Sequence, residues 1–379
     1  MAHLRKRGKK KWQIVIEKDR DPVTGERKRI YKTINGTKRE AEKVMRKMVY
    51  EMENGLYVKP SKLKVKDLLL KWLESCKSTL QDRSYASYKM IVEKHFIPAL
   101  GDIPLKDLKP FHIESYQNQK LTTGRKDKKS GGLSPTTVQN HNHLLTTALD
   151  YGVRMQMIKN NPAKVVKAPR RAEVDVKFLD KGEIKKLLNA APESWIHDFV
   201  LFAVQTGMRR GEVIGLEWEN VDLKNKKIHV KQILQRVRGQ GLKFKSPKTK
   251  SSQRTIDLND ELVNLLKDIK KHQAKRRLRL GKKYYTDKNL VFCNEDGSPC
   301  NPQGVTRQFK RLAKKAGFFE LRLHDLRHSH ASLLLKEGVH PKVVQERLGH
   351  SSITQTLDTY SHIQPSLQKE AAEKITITS

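Results

Sequence analysis

Six of the fourteen histidines fall between His324 and His362, and a single tyrosine, Tyr360, stands between two of them in LGHSSITQTLDTYSH (348–362). Histidines in such number raise metal binding first. HDLRH places His324 and His328 at i and i+4, a workable ligand pair on a helix, yet Arg327 shares nearly the same face, where a guanidinium repels a cation. An anion uses more of these residues. His324 and Arg327 are three apart, so one helical face presents an imidazole and a permanently charged fork. Upstream, TGMRRGE (206–212) sets Arg209 two residues after Gly207, at a helix break from which a side chain can project into a cleft. A second arginine on one phosphate would neutralise the charge that phosphoryl transfer spreads over the non-bridging oxygens. Singly, each arginine reads as a surface residue and Tyr360 as a half-exposed aromatic. Only the combination argues for chemistry.

Bulk properties narrow the substrate. The 379 residues are too many for one ordinary core and predict two or three domains. Lys and Arg number 78 against 41 Asp and Glu, a formal charge of +37. A compact chain so basic repels itself, so the excess meets a polyanion, with nucleic acid the leading class. A membrane surface would want that charge on one amphipathic helix, whereas here it runs through the whole chain. No apolar run approaches a membrane span, MAHLRKRGKKK is not a signal peptide, and the three scattered cysteines fit a reducing cytoplasm.

The elements that must position these residues are legible in part. Within residues 1–57, WQIVIE (12–17) and KRIYKTI (28–34) read as strands of a small three-stranded sheet, joined through DRDPVTGE. Thr37 and Glu40 form a capping box, after which Ala41, Val44, Met45, Met48, Val49 and Met52 recur at helical spacing. That stripe covers one sheet face. The other, rich in Lys and Arg, is left to enter a DNA groove, with Lys10, Lys11, Arg27, Lys28 and Arg29 as candidate contacts. Residues 58–64 form a linker, and 65–165 an all-helical domain whose last long helix starts at Ser134 and Pro135. Between its helices, GRKDKKSGG (124–132) offers Arg125, Lys126, Lys128 and Lys129 to phosphates. A second linker (166–176) precedes a mainly helical domain (177–379) with a small antiparallel sheet. In it Asp180 and Glu183 cap a helix, WIHDFVLFAVQTG (195–207) is a buried one, and KKIHVKQIL (226–234) and SQRTIDL (252–258) read as strands. The whole is multidomain α+β.

TGMRRGE, SPKTKSSQRTIDL, LHDLRHSHAS, LGHSS and LDTYSH occur in the order and at roughly the separations found in tyrosine recombinases. From about residue 177 onward the chain closely resembles the integrases of phages and Gram-positive-type conjugative transposons, and more loosely before it. The resemblance implies a basic arm-binding domain, a helical core-binding domain of SAM-like type and a catalytic domain. Residue by residue, Arg209 and Arg327 resemble the arginines that hold the scissile phosphate, and Lys248 the hairpin lysine that protonates the departing 5′ oxygen. His324 resembles the first histidine, hydrogen-bonded to the phosphate, and His350 fits the second position. Glu212 matches an acidic position that braces the first arginine, and Tyr360 matches the nucleophile. Lys250 and Arg210 are competing neighbours; the KT pair with the following QRTI favours Lys248, and the spacing from TG favours Arg209. A phenol with a pKa near 10 attacks slowly while protonated, so a site dense in cations takes the place of a metal, and no cofactor is implied.

The implied partners are double-stranded DNA at core and arm attachment sites, a homotetramer on DNA formed from free monomers, and excision or DNA-bending accessory proteins. The implied location is bacterial, cytoplasmic and DNA-associated, without membrane attachment. Residues 366–379 would dock on a neighbouring subunit. In a straight helix the ten residues from His350 to Tyr360 would span about 15 Å. A break is therefore expected after His350, with Tyr360 on a separate short helix.

Overall fold

The computed structural model of the chain describes residues 2–20, 27–54, 57, 62–125, 130–170, 177–237, 239–247 and 252–354. These fall into two compact units, Met1–Glu173 and Val174–Ser379. Among the described residues no helix is long and apolar enough to cross a membrane.

The first unit opens with an antiparallel sheet in the order β1 (Ala2–Gly8), β2 (Lys11–Arg20), β3 (Arg27–Asn35), followed by α1 (Lys38–Glu53). β1 is the strand that pattern reading did not locate, because AHLRKRG carries only Ala2 and Leu4 as apolar residues before a charged run. Register supplies what pattern lacks: Leu4 lies opposite Ile14, and Ile16 opposite Ile30. These side chains meet Met48 of α1 in one small core. The capping box forms as spaced, with the Glu40 amide on Thr37 Oγ1 at 3.3 Å and the Thr37 amide on Glu40 Oε2 at 2.7 Å. Strand alternation then turns Arg5, Gln13, Arg29 and Tyr31 to the face away from the helix.

A second, separate core in this unit is wholly helical. Its elements are α2 (Val65–Ser75), α3 (Asp82–Ile91), a π-turn (Val92–Phe96), α4 (Ile97–Leu100), α5 (Pro110–Thr123) and α6 (Pro135–Arg154). Leu68, Leu69 and Trp72 of α2 pack against Leu145, Ala148 and Leu149 of α6, with Phe96 and Ile113 between. Ser134 caps α6 by accepting from the Thr137 amide at 3.3 Å, ahead of the first-turn Pro135.

In the second unit the chain runs through α7 (Lys181–Asn189), α8 (Trp195–Thr206), α9 (Arg210–Val213), β4 (Val221–Asp222), β5 (Lys227–Val230), β6 (Ile233–Val237), β7 (Gly241–Lys245) and β8 (Arg254–Asp257). It continues as α10 (Asp260–Leu280), α11 (Pro302–Lys315), α12 (Asp325–Lys336) and α13 (Pro341–Leu348). Helix α8 is the hub, in contact with α7, α9, α10, α11 and α12. Its buried Phe199 and Phe202 meet Phe292 at ring separations of 5.7 and 5.1 Å. One expectation needs correcting: 226–234 is not a single strand. β5 pairs with β4 and β8, whereas β6 pairs with β7 in a separate hairpin. The chain breaks between them where Gln232 Nε2 donates to the Gly215 carbonyl at 2.8 Å.

Gly207 ends α8 in the left-handed region at φ 65°. A Cβ there would lie 2.5 Å from His330 Cδ2 and 2.8 Å from Leu348 Cδ2, so α12 and α13 close directly over this residue. Gly207→Ala therefore combines an αL penalty of about 1–2 kcal/mol with overpacking of about 1–3 kcal/mol. A urea melt should show a loss of at least about 2 kcal/mol; an unchanged midpoint would remove Gly207 as the pivot of this packing.

Candidate active site

Beyond Gly207 the chain turns at once into α9, and Arg209 is its extended N-cap residue. Glu212, three residues on, reaches back in a capping box. Its Oε2 accepts the Arg209 amide at 2.9 Å and its Oε1 accepts Arg209 Nη1 at 2.9 Å. Oε2 also accepts Arg254 Nη2 from β8, again at 2.9 Å. Glu212 is 1% and Arg254 6% exposed, while Arg209 keeps 37% of its side chain open. Burial drives the Glu212 pKa up, but Arg254 and then Arg209 overcome it and hold the carboxyl below its ordinary value. Arg210 points elsewhere, to Thr306 Oγ1 of α11 at 2.5 Å.

Two further elements converge on this point. His324 is the N-cap residue of α12, and Arg327, 3% exposed, lies in its first turn. Arg327 Nη1 donates to the Gly207 carbonyl and Nη2 to the Leu348 carbonyl, both at 2.7 Å. Helix α13 ends at Gly349 in the left-handed region, φ 68°. Its last carbonyls receive three arginines in succession: Arg347 O from Arg254 Nε (2.6 Å), Leu348 O from Arg327 Nη2 (2.7 Å) and Gly349 O from Arg209 Nη2 (3.2 Å). Such carbonyls form the negative end of the helix dipole and favour cations. His350 follows immediately, buried, its amide on the Gln345 carbonyl at 3.1 Å. The break thus opens at Gly349, the residue type that adopts αL without strain, and continues after His350 as expected, with residues 350–352 non-helical before helical backbone resumes at 353.

The histidine rings feel this cationic crowd. His350 is pushed down to about 3, by burial first and then by Arg327, Arg209, His328 and His324. His324 falls to about 4, by desolvation and then His328, Arg327 and Arg209. His324 still presents surface to water, so its charged neighbours carry more weight there than desolvation does. Both rings are neutral at pH 7, each with one donor and one acceptor nitrogen. Behind them His330 is buried and pushed down to about 3, chiefly by burial. Its Nδ1–H donates to the Val204 carbonyl at 2.8 Å and its Nε2 accepts from Arg347 Nε at 3.2 Å, which fixes the tautomer.

Of the residues singled out from sequence, Arg209, Glu212, His324, Arg327 and His350 gather at one place. Lys248, Lys250, Tyr360 and the 366–379 segment lie outside the described residues. In the first unit, Lys10 and Lys11 are exposed at the β1–β2 turn, and Arg29 is exposed on the open sheet face, paired with Glu17 at 2.9 Å. Arg27 and Lys28 lie in β3, their side chains outside the description; Arg125 is exposed just after α5, and Lys126, Lys128 and Lys129 are not described. Sequence reading missed Arg5 and Arg7 near Gln13 on the open face, where Arg7 Nε donates to Gln13 Oε1 at 2.9 Å. It also missed Arg254. The signal was present: Arg254 shares strand parity with the buried Ile256 and Leu258, an inward position that a cation occupies only with a partner.

Comparison with known proteins agrees with this geometry. Residues 177–366 match the phage integrase family and residues 64–121 the N-terminal SAM-like domain of phage integrases. The ICEBs1 integrase of Bacillus subtilis (strain 168) is 30% identical over 366 residues, 96% of each chain. This chain belongs to the phage integrase family. It is a site-specific recombinase of the tyrosine type. Its fold is shared with the Tn1549 transposon integrase solved with transposon right end DNA (TM-score 0.70, 22% identity, 83% of this chain and 99% of that one). A lambda integrase tetramer bound to a Holliday junction is also similar (TM-score 0.58, 18% identity, 94% and 95%).

Two outcomes follow for this recombinase. Arg254→Gln leaves Glu212 buried with one half-open partner, at a cost of about 3–5 kcal/mol for a broken buried pair. Arg254→Lys should restore most of that stability but not DNA cleavage, because an ammonium cannot bond Glu212 and the Arg347 carbonyl in one plane. Full cleavage by the lysine variant, assayed where it is folded, would reduce Arg254 to a stability role. The second outcome concerns pH. His324, His330 and His350 bind protons more weakly folded than unfolded, so their contribution is complete above the ordinary histidine pKa of about 6.5 and is lost as pH falls toward 4 and 3. Urea midpoints of the DNA-free protein should drop steadily from about pH 7 to about pH 5; a flat profile would contradict the shifts.

Proposed function

We propose that Arg209, Arg327, His324 and His350 bind the scissile phosphate of a DNA strand, and that Tyr360 attacks it. The observation that carries this is the convergence of two arginines and two neutral imidazoles from three separate segments onto the ends of α8 and α13. An arginine fork offers five N–H donors in a fixed plane. Two such forks favour the extra charge that develops on the non-bridging oxygens as phosphorus becomes five-coordinate.

In the step itself, the Tyr360 oxygen forms a bond to phosphorus while the bond to the 5′ oxygen breaks. The phenol proton passes to His324, whose neutral ring has an acceptor nitrogen. Lys248 gives a proton to the departing 5′ oxygen, and His350 donates its N–H to a phosphate oxygen. The product is a 3′-phosphotyrosyl link and a free 5′ hydroxyl. Because the link keeps the energy of the broken phosphodiester, the 5′ hydroxyl of a partner strand can reverse the step without ATP. Two such exchanges integrate or excise a mobile element. Four active sites working in pairs require a tetramer on DNA, and the basic first unit would bind the arm and core sequences.

A nicked attachment-site duplex that loses its short 5′ fragment traps the covalent adduct. The wild-type protein should form it in EDTA, and Tyr360→Phe should abolish it while leaving non-covalent binding unchanged. An adduct that survives Tyr360→Phe would move the nucleophile elsewhere.

A further inference from the structure

Helix α10 changes character along its length. Its first half is built into the core through Leu262, Val263 and Leu266. Gln273 ties it down once more: Nε2 donates to the carbonyls of Leu290 (3.1 Å) and Val291 (2.9 Å), and Oε1 accepts from Trp218 Nε1 (2.7 Å). Farther on, Leu278 is 86% exposed. The stretch 270–283, KKHQAKRRLRLGKK, holds eight Lys and Arg and no Asp or Glu. Lys267, Lys271, Lys275 and Arg279 recur every four residues, so they line one side of the helix at a rise of about 6 Å per step.

Like charges at this spacing repel by roughly 0.2–0.5 kcal/mol per pair. Elsewhere in the unit several exposed lysines have a carboxylate partner: Lys181 with Glu337, Lys226 with Asp260, Lys288 with Glu217, Lys342 with Glu346. Among the described residues, no basic side chain of 270–283 has a carboxylate within ion-pair distance, although Lys270 does lie over the Trp218 ring at 5.4 Å. The helix dipole accounts for Arg277 and Arg279 in the last turn, but not for the six others. A lipid surface would need a wide apolar face, and this stretch has only Ala274, Leu278 and Leu280.

We infer that the second half of α10, with the Gly281–Lys283 turn, is a sequence-independent contact to the backbone of double-stranded DNA, separate from the arginine cluster around Glu212. Lysine-rich stripes suit phosphates, which position a protein without reading bases. The inference rests on the recombinase reading for its partner, since the available duplex is either the flank of the cleaved site or a second duplex brought to it.

The test uses the full chain with Lys271, Lys275, Arg277 and Arg279 all changed to Gln, a good helix former. Binding is followed across a salt series on a duplex spanning only the cleavage site, on one extended by unrelated sequence, and on the short duplex with a second unrelated duplex added. Each lost phosphate contact should flatten the log K against log salt slope by about 0.9. The slope on DNA that reaches α10 should therefore fall by roughly 2–3, while adduct formation on the short trapping duplex is unchanged. Loss confined to the extended duplex assigns the flank; loss confined to the added duplex assigns the second DNA. Equal slopes for wild type and variant in every arm overturn the inference. Should the fourfold variant melt early, Lys275→Gln with Arg279→Gln carries the same test, and Lys181→Gln with Lys342→Gln is the matched control. If wild type forms no adduct at all yet the slopes still differ, the recombinase reading fails and the α10 contact stands.

Discussion

Four arginines, Arg209, Arg254, Arg327 and Arg347, gather at the ends of α8 and α13 beside the buried Glu212 carboxylate, and the second unit is organised by the need to hold them. Glu212 pairs with only two. Main-chain carbonyls accept further donors: Gly207, Arg347, Leu348 and Gly349, with Gln205 and Asp257 accepting from Arg347, whose Nε also donates to His330 Nε2. A carbonyl satisfies a donor without cancelling its charge. The cluster is thus rigid and still strongly positive, which suits the phosphodiester proposed for it.

Two left-handed glycines make this possible. Gly207 and Gly349 end α8 and α13 so that their terminal carbonyls face the arginines instead of water. The same turns deliver side chains of the candidate site: Arg209 two residues past one glycine, His350 one residue past the other. Helix ending and site building are one event. The neutral rings of His324 and His350 follow from burial together with that crowding, because each additional proton would lose water and face the arginines at close range. A phosphate entering the cluster would offset part of that positive field and accept N–H donation from the rings.

The legibility of this arrangement in sequence was uneven for physical reasons. Capped, amphipathic elements such as α1, α6 and α7 announced themselves, since cap residues and 3.6-residue periodicity are local properties. The first strand and the split between β5 and β6 did not, because both depend on which strand pairs with which. Arg209, His324 and Arg327 were singled out through their spacing from Gly207 and from one another, and His350 through the resemblance to the family's second histidine. Arg254 was passed over: its function lies in a contact with Glu212 across 42 residues of chain, and nothing next to it in sequence marks the partner.

Positive charge is handled in two opposite ways in this unit, and the difference sets what each part can do. Around Glu212 the cations are largely removed from water and fixed by hydrogen bonds, so mobile ions at physiological strength screen them little. Along the second half of α10 they stand largely in solvent with, among the described residues, no carboxylate at ion-pair distance, within a Debye length of about 8 Å of the ions that screen them. Affinity contributed by the helix therefore fades as salt rises, while the field acting on a bound phosphate does not. A recombinase must hold DNA firmly through strand exchange and then let it go. Dividing the charge in this way lets ionic conditions and DNA length govern the hold without weakening the chemistry.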